Sequence, residues 1–168
     1  MRPYRGEVLK AVKLLAWLLE EYDKDGIDMY FMKEAGQKHA RAGHSSDLLP
    51  HVKAIMGACR GTSDVTHRLG TILHEYRQSL DQSQQPKWRP LKSFLHSTKI
   101  KPLSIYVLTD GEWEPRSDPS KSICDTAKFL EQQGLPASQL GIQFIRFGDR
   151  PENKAKLDHL DSRLGAVR

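Results

Sequence analysis

A chain of 168 residues, 38% hydrophobic and 28% charged, is long enough for one domain with a proper core and too short for two comfortable ones. No apolar run nears the ~20 residues of a membrane-spanning helix, and the N-terminal apolar stretch, interrupted by Lys10 and Lys13 and followed by no small-residue cleavage site, lacks the form of a secretory signal. A net charge of +5 permits contact with acidic partners but does not specify nucleic acid.

Residues 7–22 read as a helix: Val8, Leu9, Val12, Leu15, Leu18, Leu19 and Tyr22 recur at helical spacing, opposite a narrow stripe of Lys10, Lys13, Trp17, Glu20 and Lys24. So apolar a face requires heavy cover from a sheet. Asp23-Lys24-Asp25-Gly26 supplies stop chemistry, and residues 27–32 follow as a short strand. A crossover helix normally has a strand before it as well as after it, yet only six residues precede this one. Residues 33–44 form a polar, glycine-containing stretch without a clear period, with room for a short edge strand. His39 and His44 within it lack the cysteine or carboxylate that would make them a metal pair. Ser45-Ser46-Asp47 offers an N-cap for a short helix over residues 48–56, with Pro50 in its first turn.

The loop Cys59-Arg60-Gly61-Thr62-Ser63-Asp64 ends at a helix over residues 65–80, whose apolar face is Leu69, Ile72, Leu73, Tyr76 and Leu80. Two hydroxyls and a carboxylate at a helix start serve either as capping groups or as oxygen ligands for a hard cation. Residues 81–101 are a long polar connection. Lys87, Arg89, Lys92, Lys99 and Lys101 alternate there with Trp88 and Phe94, a pattern that suits a linker first and a nucleic-acid contact second. Cys59 and Cys124 match no metal or redox spacing and read as reduced thiols of a cytoplasmic protein.

The sharpest signal is Leu103-Ser104-Ile105-Tyr106-Val107-Leu108-Thr109-Asp110-Gly111. Its first six residues suit a parallel strand buried on both faces, and it stops at Thr-Asp-Gly, where a carboxylate lies at the carboxyl end of the strand. Asp110 there is a metal-ligand candidate or a cap of the following turn. A helix over residues 120–133 follows, closed by Gly134, then a buried-type strand over residues 140–147, and a final helix opened by Pro151 whose apolar positions are Leu157, Leu160 and Leu164. Alternating helices and strands give an α/β fold with a mainly parallel sheet. A glycine-rich dinucleotide motif, a P-loop and an internal repeat are all missing from the sequence.

With these pieces in place the chain resembles a von Willebrand factor type A domain of the intracellular fungal sort. The matching residues are Gly26-Ile27-Asp28-Met29-Tyr30-Phe31, Gly61-Thr62-Ser63, the run from Ile105 to Gly111, the run from Gly141 to Gly148, and Leu157-Asp158-His159-Leu160-Asp161. The resemblance implies a Rossmann-like fold and a single domain over residues 1–168. It implies a metal-ion-dependent adhesion site holding magnesium, to which an acidic residue of a protein partner adds the last ligand. The family aspartate after the fourth strand falls on Asp110, and the threonine position falls on Ser63 with Thr62 as its neighbour. The family's Asp-x-Ser-x-Ser loop and first central strand have no counterpart here, so the resemblance places them upstream of Met1 and leaves the site partial. It implies protein–protein recognition without catalysis, membrane or nucleic acid. The rival readings are a magnesium-dependent phosphoryl-transfer or hydrolytic enzyme using Asp110, which needs a base or nucleophile beside the ion, and a nucleic-acid-binding module using residues 86–101.

Overall fold

The computed structural model describes residues 2–22, 26–32, 38–42, 45–58, 63–84 and 100–165. Their elements make a mixed α/β fold with a small parallel sheet of two strands flanked by helices. Contacts group the chain into two units, one of Met1–Asp64, Leu108–Pro115 and Phe144–Leu157, the other of Val65–Val107, Arg116–Gln143 and Asp158–Arg168.

In the first unit a short 3-10 turn, Arg2–Tyr4, leads into helix α1, Arg5–Tyr22. Strand β1, Ile27–Tyr30, pairs antiparallel with β2, Lys38–Ala42, in a register that sets Ile27 against Ala42 and Tyr30 against Lys38. The polar stretch thus does contain an edge strand. Helix α2, Ser45–Ala58, starts a turn earlier than the sequence predicts, which moves Pro50 beyond the first turn and costs α2 one backbone hydrogen bond. Helices α1 and α2 pack on each other. Ala16 and Leu48 are buried together, with Ile27 and Met29 of β1 laid against them.

The expected sheet cover over α1 is not what the structure provides. Strand β1 has four residues, about 13 Å at strand rise, while the 18 residues of α1 extend about 27 Å. Leu18 stands 42% exposed, and Trp17, which the sequence reading puts on the polar stripe, and Leu14 are 63% and 57% exposed. Leu18, read from spacing as part of the inward face, is therefore a correction.

In the second unit helix α3, Val65–Gln84, packs on helix α4, Ser120–Gln132. Val65, Leu69, Leu73 and Leu80 of α3 are buried, as are Ile123 and Leu130 of α4. Gly70 permits the close approach, since a Cβ there would stand 3.2 Å from Ser122 Oγ. Ahead of α4, Asp118 Oδ1 accepts the Ser120 N–H at 2.9 Å, and Arg163 Nη1 donates to its Oδ2 at 2.7 Å. The Ser120 hydrogen bonds, helped by Arg163, hold the Asp118 carboxyl below its ordinary pKa. Tyr76 joins three segments: its hydroxyl accepts from Gln139 Nε2 at 2.7 Å and donates to the Lys101 carbonyl at 2.9 Å. Burial raises the Tyr76 pKa, and hydrogen bonds at Gln139 and Leu103 pull it partly back.

Strand β3, Leu103–Thr109, and strand β4, Leu140–Arg146, form the parallel pair, and helix α5, Pro151–Gly165, follows. The expected burial on both faces of β3 is corrected: its buried residues lie two apart on one face, and the opposite face, Ser104, Tyr106 and Leu108, is exposed or half-buried. Val107 and Thr109 are buried, Ser104 is exposed, and the other positions are half-buried, as suits a two-stranded sheet. Among the described residues the strands form two separate pairs, β1–β2 and β3–β4.

Candidate functional site

The Thr-Asp-Gly exit of β3 is built by side chains that satisfy backbone groups. Thr109 is 4% exposed, and its Oγ1 accepts two hydrogen bonds, from the Gly111 N–H at 3.0 Å and from the Trp113 indole Nε1 at 2.8 Å. Its own carbonyl accepts the Phe147 N–H at 2.9 Å, fixing the ends of β3 and β4 side by side. Gly111 then turns with φ +77°, a conformation that favours glycine. It also lies so close to α5 that a Cβ would fall 2.6 Å from the Asn153 Cβ. Asn153, itself buried, donates from Nδ2 to the Asp110 carbonyl at 2.7 Å. The turn is thus clamped from both sides.

Asp110 is half-buried at the carboxyl end of β3, where the sequence predicts it. Its Oδ1 accepts the Glu112 N–H at 3.2 Å, so the carboxylate does cap its own turn. Ser63 is brought to the same loop through its backbone. It bridges Trp113 in parallel, and its carbonyl accepts the Glu114 N–H at 3.1 Å. Two segments far apart in sequence, a hydroxyl-bearing loop and a carboxylate-bearing turn, therefore meet by direct hydrogen bonding. Thr62, the alternative hydroxyl, lies outside the described residues, as do His44, Cys59 and nearly all of the basic stretch 86–101.

The surroundings are charged but balanced. Arg150 forms an ion pair with Glu112. Asp149, the other strand-end carboxylate, is exposed, with Arg146 Nη2 at 3.9 Å, and Arg146 also donates to the Gly148 carbonyl. Gly148 has φ +84° and leaves no room for a Cβ because the Tyr4 ring presses against it. Trp113 packs against Phe144 with ring centroids 5.9 Å apart, giving the loop an apolar footing.

As a cation site this ligand set is small. Magnesium takes near-octahedral oxygen coordination, usually with one or two carboxylates and several waters. Asp110 and Ser63 offer one carboxylate and one hydroxyl, and Asp110 Oδ1 is already engaged. Among the described residues no three His, Cys, Asp or Glu side chains gather as a ligand cluster. These residues fit a weak, water-rich fragment of a site, not a closed cage.

Trp113 and Asn153 contribute most to the geometry after Asp110, and neither was singled out from sequence. A tryptophan two residues past Thr-Asp-Gly in an otherwise polar turn was a usable signal, because such a residue needs both a packing partner and an acceptor for its N–H. Asn153 carried no comparable signal. Compared with protein-family models, curated proteins and solved structures, the chain matches none of them. Among the described residues no helix is long and apolar enough to cross a membrane.

Proposed function

We propose that this chain is a non-enzymatic protein–protein interaction module of the von Willebrand factor type A kind, with a partial metal-ion-dependent adhesion site formed by Asp110 and Ser63. The observation that carries the reading is the backbone junction of Ser63 with Trp113 and Glu114, which sets the serine loop beside the turn that bears Asp110. A hydroxyl and a carboxylate supplied by separate loops at the carboxyl end of a parallel strand suit an oxygen-ligated cation completed from outside. Magnesium at this fragment is weak, and the partner is a protein that offers an acidic residue.

The test is to join a strand and an Asp-x-Ser-x-Ser loop of the family pattern ahead of Met1 and to follow thermal unfolding with and without magnesium. At a hundredfold excess over its dissociation constant, a bound ion stabilises the folded state by ~2.7 kcal/mol. For a domain of this size that is a rise of roughly 5–10 °C. The extended chain should show this rise, the chain of residues 1–168 should show almost none, and Asp110→Ala should abolish it in the extended chain. A rise that survives Asp110→Ala, or no rise in the extended chain, would sink the proposal.

A further inference from the structure

The outward face of α1 carries a pattern that fits itself. Lys10, Leu14, Trp17 and Glu21 follow one another at spacings of four, three and four residues, so they form one stripe along the helix. All four are exposed, and Lys13 and Leu18 flank them, exposed as well. An indole and two leucines in the middle of a helix are a poor choice for contact with water, and tryptophan is among the residues most enriched where binding energy concentrates. The charges decide what covers them. The stripe is basic toward its N-terminal end and acidic toward its C-terminal end, so a partner of uniform charge would be repelled at one end.

We infer that α1 is an antiparallel homodimerisation surface, pairing with α1 of a second copy about a twofold axis between Leu14 and Trp17. In that register Leu14 faces Trp17 of the second copy, and Lys10 faces Glu21. The twofold axis repeats both pairs, giving two apolar contacts in the centre with an ion pair at each end. Lys13 faces Leu18, over which the methylene stem of the lysine lies while its ammonium stays in water. Parallel pairing would stack Lys10 on Lys10 and Glu21 on Glu21. One helix face is smaller than the ~800 Å² per partner of a standard interface, so the dimer is weak, with a Kd on the order of 10–100 µM.

Charge exchange tests this in the whole chain by sedimentation equilibrium. Lys10→Glu gives a stripe acidic at both ends, and Glu21→Lys gives one basic at both ends. Each alone should weaken dimerisation at least about tenfold, because two attractive pairs become two repulsive ones. An equimolar mixture of the two variants should recover dimers near the wild-type affinity, since each acidic end then meets a basic one. That recovery also shows that both variants are folded. The double variant Lys10→Glu/Glu21→Lys should dimerise like the wild type, and Trp17→Ala should not dimerise. Wild type that stays monomeric up to about 300 µM, well above the Kd range of so small an interface, would overturn the inference. So would a dimer indifferent to Lys10→Glu, a mixture that fails to recover, or a monomer that uses Trp17 to bind anionic vesicles.

Discussion

Replacing Thr109 by valine keeps the side-chain shape and removes one oxygen, and the structure makes that oxygen the acceptor for two donors. Thr109 Oγ1 takes the Gly111 N–H and the Trp113 indole N–H, and both Thr109 and Trp113 are buried. A buried donor left without a partner costs ~1–3 kcal/mol. Two of them give about 2–6 kcal/mol, offset by about 1 kcal/mol for burying a methyl in place of a hydroxyl. The net loss of about 1–5 kcal/mol is a large share of the ~5–15 kcal/mol that keeps a typical domain folded. Urea unfolding followed by circular dichroism measures it, provided the slope is unchanged between variants. Thr109→Ser keeps the acceptor and should lose only the value of a methyl group, about 1 kcal/mol. A double-mutant cycle isolates the indole bond: Trp113→Phe removes that donor beforehand, so Thr109→Val should cost at least about 0.5 kcal/mol less in the Trp113→Phe background. The reasoning is refuted if Thr109→Val stays within about 0.5 kcal/mol of wild type, or if the two substitutions are simply additive.

Two other outcomes follow from the same neighbourhood and from the start of α4. Gly111→Ala must accept a left-handed backbone, worth roughly 1–2 kcal/mol, and a Cβ 2.6 Å from that of Asn153. Its stability should therefore fall by at least about 2 kcal/mol in the urea assay, and an unchanged midpoint would mean that the turn can open at no cost. Asp118 has its pKa lowered in the folded state, so its contribution is present above the unfolded carboxyl value and is lost as pH falls through the folded one. Asp118→Asn should lie below wild type at neutral pH and converge with it in acid, and a gap independent of pH would show that the charge is not what matters.

The sequence was most legible where local pattern and tertiary burial agree. The α3 face of Leu69, Leu73 and Leu80, the α4 stop at Gly134 with φ +65°, and the abrupt end of β3 all come from residues whose neighbours in sequence dictate their state. Strand β2 was much fainter, because Lys38-His39-Ala40-Arg41-Ala42 lacks β-branched residues and takes its form from pairing with β1. Helix α1 shows the limit of periodicity. Its apolar spacing predicts an inward Leu18, but which part of a wide apolar face is covered depends on the size of what packs there, and Leu18 is left 42% exposed. At the candidate site, Asp110 and Ser63 could be picked out by residue type and position. Within the clamp, Trp113 was legible as an indole in a polar turn that needs an acceptor four residues away, but Asn153 was not, because its hydrogen bond spans 43 residues and leaves no trace in local pattern.

That clamp also limits which substitutions can succeed one another over time. The hydroxyl at Thr109 has a use as long as an indole stands at Trp113, and the bare α-carbon at Gly111 is required as long as Asn153 fills the space beside it. Losing the Thr109 hydroxyl strands the Trp113 indole N–H, and a side chain at Gly111 collides with Asn153, so each pair is expected to be inherited together. Distant relatives of this chain should be recognisable by those two linked choices, Thr109 with Trp113 and Gly111 with Asn153, even where Thr-Asp-Gly by itself has become too short a string to identify them.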